Sequence, residues 1–227
     1  ACIARRDRLG ARRTTESALR ISALVAMPCG FGLLALGGPI IELLTVNNVD
    51  TSIAGPLLSI LGNASIFVCI QVVATSILQA NSIVSLPIIT MVIGGVSKVI
   101  VSYVLVGNPR IMIYGAPIGT LTCFVVVSVL NLIIIKRMVP HPPRYHLAFI
   151  KPTVAAAIMG AAVWAVHGLL TKVFSGSFLM DAVAAAGAIL VGVVVYAVLV
   201  VLLRVLSKED LEMMPKGDKI AKLLHIQ

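Results

Sequence analysis

The residue with the most distinctive chemistry is Lys98, a charged side chain near the middle of a long apolar segment. A lysine at the centre of a membrane costs at least about 2.5–3.5 kcal/mol, so it normally faces a water-filled cavity or pairs with an acid. Thr90, Gly94 and Ser102 share a helix face with Lys98, because the four residues recur every four positions. This face favours a substrate cavity in which Lys98 meets an anionic group or a coupling carboxylate. The alternative is a structural lysine that extends to the interface or bonds to a neighbouring helix.

A second polar stripe follows the preceding apolar segment. The stripe consists of Asn63, Gln71, Thr75 and Gln79. Its last three members are spaced four residues apart, as on one helix face. Amides in lipid need hydrogen-bonding partners, so the stripe either lines the same cavity or joins neighbouring helices. Both alternatives stay open, and Ser128 and Asn131 of a later segment could belong to either arrangement.

The sequence carries no signature of a catalytic centre. It contains no Walker A loop, no H-E-x-x-H helix, no G-x-S-x-G elbow and no dinucleotide glycine fingerprint. His141 and His146 lie in a proline-rich loop without a nearby carboxylate, and the four cysteines include no C-x-x-C pair. We therefore expect no catalytic residues, no metal site and no cofactor.

Composition indicates a membrane protein. Of the 227 residues, 59% are hydrophobic and only 12% are charged, whereas a soluble domain carries about 25% charged residues. The apolar residues come in runs of about 20, the length of a helix that crosses a bilayer. The runs do not alternate with polar residues, so they predict helices and exclude barrel strands. The expected fold is an all-α, polytopic membrane helix bundle with about six transmembrane helices.

Breaker residues and polar loops divide the chain into segments. The predicted helices cover residues 21–45, 55–80, 86–106, 113–135, 152–171 and 182–203. The predicted organisation is a basic segment at 1–20, four helices within 21–135, a loop at 136–151, two further helices within 152–203 and a polar tail at 204–227. Pro28 and Pro117 are expected to kink their helices. Ala184, Ala188 and Gly192 give the last helix a small face for close packing.

The distribution of basic residues predicts the orientation. If residues 1–20 face the cytoplasm, 15 of the 18 lysines and arginines lie on that side, and only Arg110 and Lys172 lie outside. This bias is the one that the positive-inside rule requires. We expect a multi-pass protein of the bacterial cell membrane with both ends of this chain cytoplasmic. The net charge of +9 is then a topology signal, and we expect no nucleic-acid partner.

Short motifs in a fixed order connect the chain to a known group of proteins. They are RRDR (5–8), SALRI (17–21), AMPCG (26–30), TSILQAN (75–81), LPI (86–88), SYVLV (102–106), YGAPIGT (114–120), KEDLE (208–212) and PKG (215–217). Together with Lys98, they resemble the C-terminal part of polysaccharide-biosynthesis membrane proteins like the stage V sporulation protein B. Those proteins belong to the multidrug/oligosaccharidyl-lipid/polysaccharide exporter superfamily, which also contains the lipid II flippases. One departure is Ser82-Ile83, where relatives tend to have a glycine and a lysine.

The resemblance implies an organisation beyond this chain. Such proteins have two lobes of six helices, often followed by two more. This chain would hold the last four helices of the second lobe and the two extra ones, and its N-terminal lobe would be missing. The start at Ala1 agrees with that expectation. The family's pyrophosphate-binding arginines lie mostly outside the matching part and are not carried over. Lys98 stands where sporulation-type proteins often have a lysine, and the two extra helices would flank a groove for a lipid tail.

The leading functional hypothesis is therefore a flippase or exporter of polyprenyl-linked saccharide for spore or envelope polysaccharide and peptidoglycan synthesis. It would work by alternating access among membrane lipids, driven by an ion gradient or the membrane potential. One alternative is a drug/cation antiporter of the same superfamily, which needs a cation-coordinating carboxylate in the bundle. Another is a non-transporting membrane scaffold in envelope assembly.

Overall fold

The computed structural model describes residues 8–44, 51–109, 111–139, 145–173, 178–203 and 205. Its helices are α1 (Arg8–Leu44), α2 (Thr51–Ala80), α3 (Ser85–Val106), α4 (Gly115–Met138), α5 (Tyr145–Val173) and α6 (Phe178–Leu202), with a 3-10 turn at Met112–Tyr114. Each of the six α-helices is long and apolar enough to cross a membrane. The all-α membrane bundle predicted from the sequence is confirmed.

Two helices begin well before their predicted starts, and α2 and α6 each begin four residues early. Helix α1 begins at Arg8, within the segment expected to be a separate basic stretch, and α5 begins at Tyr145, within the predicted loop. Hydropathy locates the part of a helix inside the hydrocarbon and does not detect a polar continuation beyond it. In α5, Pro152 resembled a helix start, where proline is tolerated, but it lies inside the helix. The basic residues at 1–7 and the tail beyond residue 205 lie outside the described residues.

The helices pack as a row of hairpins. Helix α3 packs on α4, α4 packs on α2, and α2 packs on α1. Beyond α1 lie α5 and α6, which contact each other and α1. Helix α1 is therefore the centre of the bundle, while α3 lies at one edge.

Three buried clusters follow α1 from one end of the bundle to the other. Leu19 packs with Leu78 and Ile135 in the first cluster, Met27 belongs to the second, and Leu36 belongs to the third. The first cluster lies near four basic residues of the described chain, and we call this end of the bundle the basic end. These residues are Arg20, Lys136, Arg137 and Lys151.

Small residues bring the helix backbones close together. A Cβ atom built on Gly55 of α2 would lie 2.8 Å from the Cα of Gly38 in α1, so the two backbones leave no room for a side chain there. In α6, Ala184 and Ala188 are buried, and Gly192 packs against Val163 of α5. The small face predicted for the last helix is confirmed.

Helix α3 is the most exposed of the six. Only 11% of its most apolar window is buried, against 22% to 33% for the other helices. Its outward side chains are mostly apolar and include Ile88, Val92, Val99 and Val104. Lipid or further protein must cover this face, because exposed apolar surface of that extent does not occur on a soluble protein.

Candidate functional site

A buried hydrogen-bonded chain joins α2, α3 and α4. The hydroxyl of Thr90 in α3 lies 2.7 Å from Oδ1 of Asn131 in α4, and Nδ2 of Asn131 donates to Oγ1 of Thr75 in α2 at 3.1 Å. Thr90 is 3% exposed and Asn131 is fully buried. We call Thr75, Thr90 and Asn131 the Asn131 network. It is the arrangement expected of polar side chains that join membrane helices.

The hydroxyl of Thr90 has two acceptors within reach but only one proton to donate. It lies 2.9 Å from the backbone carbonyl of Pro87 and 2.7 Å from Oδ1 of Asn131. When Thr90 donates to Oδ1, the Asn131 amide acts at both ends, since it accepts from Thr90 through Oδ1 and donates to Thr75 through Nδ2.

The neighbouring polar side chains of α2 and α4 extend this contact. Ser128 of α4 donates to the carbonyl of Phe67 in α2 at 2.8 Å. Gln71 is only 6% exposed and lies one helical turn from both Phe67 and Thr75. Among the described residues, none forms a hydrogen bond with the Gln71 amide. Gln71 thus belongs to the α2–α4 interface without contributing to its hydrogen bonds.

The other predicted cavity residues are dispersed. Asn63 is half-buried in the first half of α2, and Gln79 is exposed at the end of that helix. Ser102 lies in the contact between α3 and α4, where its hydroxyl would meet a Cβ atom built on Gly119. The structure therefore brings Thr75 and Thr90 together and leaves Asn63 and Gln79 apart from them. A role in lining a substrate cavity stays a prediction for these five residues, for Gln71 and for Lys98.

Lys98 lies at the edge of the α3–α4 contact with its side chain exposed. A Cβ atom built on Gly119 of α4 would lie 3.2 Å from the backbone carbonyl oxygen of Lys98. A Cβ atom built on Gly95, one turn before Lys98 in α3, would meet no atom within 4 Å. Within the described part of the chain, no carboxylate pairs with Lys98. The charge thus lies on the open side of the edge helix, at a depth where an anionic partner would stabilise it.

An apolar groove of about 630 Å³ lies between α1, α5 and α6. Its lining includes Pro28, Gly32 and Leu36 of α1, Met159 and Val163 of α5, and Gly192 and Tyr196 of α6. The predicted kink residue Pro28 lies at one end of the groove, although α1 remains helical through it. Pro117, the second predicted kink residue, is buried in the first turn of α4, away from the groove. The volume falls in the range of about 300–1,000 Å³ typical of small-molecule sites.

Tyr196 is the groove residue that sequence reasoning missed. Its hydroxyl donates to the backbone carbonyl of Leu24 in α1 at 2.7 Å. The sequence does contain a signal for Tyr196, which is an aromatic hydroxyl within an otherwise apolar helix. A tyrosine hydroxyl usually has a hydrogen-bond partner when it is buried. The sequence could not show that the partner lies in α1, which precedes α6 by five helices in the chain.

Comparison with known proteins identifies a family for most of the chain. The family model described as lipid II flippase MurJ matches residues 1–184. The match includes α1 to α5, and therefore Lys98 and the Asn131 network, whereas Tyr196 lies beyond it. The searches of curated proteins and of solved structures each returned no match.

Proposed function

The chain belongs to the MurJ family of lipid II flippases, and on that premise we propose that it moves a polyprenyl-linked saccharide across the bacterial cell membrane by alternating access. The observation that carries this proposal is the apolar groove between α1, α5 and α6. A lipid-linked saccharide has a long hydrocarbon chain that stays in the membrane while its polar head crosses. A groove lined by apolar side chains at membrane depth suits that chain and offers nothing to a hydrophilic solute.

The head of such a substrate carries phosphate, and Lys98 supplies a matching charge. Its exposed position on α3, at the edge of the bundle, leaves the charge open to an anionic group in a two-lobe transporter. Lys98 would then bind the anionic head while the groove binds the chain. A lysine binds phosphate as a point charge, without the fixed geometry of arginine.

The substrate class can be narrowed by experiment. We propose lipid II or a closely related lipid-linked saccharide of envelope or spore polysaccharide synthesis. Comparing the flux of lipid II with that of a polyprenyl-linked polysaccharide precursor distinguishes the two. The antiporter alternative predicts instead that a lipophilic cation is exchanged for protons or sodium, and the scaffold alternative predicts flux of neither kind.

Filling the groove tests the proposal. Gly32 lies in the groove wall, and a Cβ atom there meets only the Cε of Met159 at 3.9 Å, which is ordinary contact. Gly32→Phe therefore fits the backbone but places a ring in the groove. Because the ring takes the space of the hydrocarbon chain, we expect it to lower the flux of fluorescent lipid II in proteoliposomes about tenfold or more.

Gly168→Phe is the matched control, because a Cβ atom at Gly168 of α5 meets no atom within 4 Å and Gly168 does not line the groove. This variant should transport at the normal rate. Equal flux in Gly32→Phe and Gly168→Phe, at equal expression, would show that transport does not need an open groove. That result would remove the main support for the proposal.

A further inference from the structure

The backbone carbonyl of Leu24 has lost its usual helical partner. In an α-helix this carbonyl accepts a hydrogen bond from the N–H four residues later, but that residue is Pro28, which has no N–H. The hydroxyl of Tyr196 donates to the Leu24 carbonyl at 2.7 Å. A side chain of α6 therefore replaces the backbone donor that is absent from α1.

This hydrogen bond lies at one end of the apolar groove. Tyr196 and Pro28 both line the groove, and Ile40 and Ile189 lie further along it towards the other end. The ring of Tyr196 is half-buried and packs against the clusters that contain Met27 and Leu36. The apolar part of Tyr196 thus fills the contact between α1 and α6, and its hydroxyl makes one polar contact at the end of an apolar channel.

We propose that Tyr196 is a positioning residue that fixes α6 against the proline site of α1 and thereby sets the width of the groove for the hydrocarbon chain of the substrate. The proposal rests on the proposed function only in naming the hydrocarbon chain as the occupant. The role of the hydroxyl follows from two facts, the carbonyl that Pro28 leaves without a donor and the bond from Tyr196. Unpaired backbone groups are costly in a bilayer because no water reaches them, so the bond should hold α6 in place.

A double-mutant cycle tests the role of the hydroxyl. Tyr196→Phe keeps the ring and removes the donor, whereas Pro28→Ala restores a backbone N–H for the Leu24 carbonyl. We expect Tyr196→Phe alone to weaken the binding of a fluorescent polyprenyl phosphate in nanodiscs about three- to tenfold, which is the range for one hydrogen bond between membrane helices. In the Pro28→Ala background the same change should have little effect, because the carbonyl no longer needs Tyr196.

The groove width is measured separately, on the full-length protein. Spin labels on Cys29 and on Val193→Cys, both in the groove wall, report the distance between α1 and α6 once the other cysteines are serine. We expect a longer and broader distance distribution in Tyr196→Phe. Tyr103→Phe is the matched control, since Tyr103 is 82% exposed and its hydroxyl forms no hydrogen bond within the described part of the chain.

Different results would overturn the positioning role of Tyr196 and the hydrocarbon chain as the occupant of the groove. Two results would overturn the role of the hydroxyl. One is an unchanged distance between α1 and α6 in Tyr196→Phe. The other is a Tyr196→Phe change that weakens polyprenyl phosphate binding equally in the wild-type and Pro28→Ala backgrounds. If Pro28→Ala does not fold, the distance measurement alone decides. A wild-type protein that does not bind the polyprenyl phosphate, while Tyr196→Phe still widens the groove, would refute the hydrocarbon occupant and leave the positioning role intact.

Discussion

Asn131 is fully buried, and its amide contacts hydroxyls from two other helices. An amide of this kind contributes through both of its ends, so removing it takes one hydrogen-bond partner from each of two hydroxyls. In membrane proteins each such bond contributes about 0.6 kcal/mol on average and at most about 1.7 kcal/mol. The Asn131 network is thus a modest but specific link among α2, α3 and α4.

We expect Asn131→Leu to destabilise the protein by about 1–3 kcal/mol, because Thr75 and Thr90 both lose the amide that they contact. Gln71→Leu is the matched control, since it buries an equal apolar group in the same interface but removes an amide without a partner among the described residues. Unfolding in mixed detergent measures both. An Asn131→Leu protein as stable as Gln71→Leu would contradict the assignment.

The sequence showed which polar residues share a helix face but not which helix lies opposite. Spacing placed Gln71 and Thr75 on one stripe of α2, and Thr90 and Lys98 on one stripe of α3. In the structure Thr90 is buried against Asn131, whereas Lys98 is exposed. Over eight residues a spacing of four drifts away from the 3.6-residue turn of the helix, so the two ends of the α3 stripe face different surroundings.

Among the helices, all six and their C-terminal ends, to within three residues, were predictable, whereas the starts of α1 and α5 were not. Apolar length identified all six helices, because a bilayer requires about 20 apolar residues for each crossing. Leu19 and Phe149, which precede the predicted starts of α1 and α5, pack into the first core cluster. Those contacts join residues far apart in the chain, which single-sequence patterns do not reveal.

The turn between α2 and α3 holds Ser82 in a strained backbone conformation. Ser82 has φ = 63°, in the left-handed region where a residue other than glycine loses about 1–2 kcal/mol. Glycine, which the resemblance noted above leads us to expect at this turn, adopts that conformation without strain. Asn81 closes the end of α2, since its side chain donates to the carbonyl of Ile77 at 2.8 Å.

We expect Ser82→Gly to stabilise the protein by about 0.5–1 kcal/mol, the relieved strain minus the extra unfolded-state entropy of glycine. The matched change is Ser76→Gly in the interior of α2, which should destabilise by a similar amount because glycine is unfavourable inside a helix. The same unfolding assay serves for both. Destabilisation by Ser82→Gly would show that the turn does not hold this conformation.

At the scale of the whole molecule, the row of helices places the two proposed substrate contacts far from each other. The apolar groove lies on the α1–α5–α6 side, and Lys98 lies on α3 at the opposite edge. A substrate with a long hydrocarbon chain and an anionic head could reach both, whereas a small solute could not. Cytoplasmic placement of the basic end stays a prediction from the distribution of lysine and arginine.

The most direct test of the account is the rate at which the full-length protein, reconstituted in liposomes, moves fluorescent lipid II between leaflets. We predict rapid movement by the wild type, a rate lower by about tenfold or more in Lys98→Ala at equal expression, and substantial activity in Lys98→Arg, because the charge binds the phosphate. Lys136→Ala, which removes an exposed lysine at the end of α4, should transport normally. A wild type that moves neither lipid II nor a polyprenyl-linked polysaccharide precursor, or a Lys98→Ala protein with the full rate, would contradict the account.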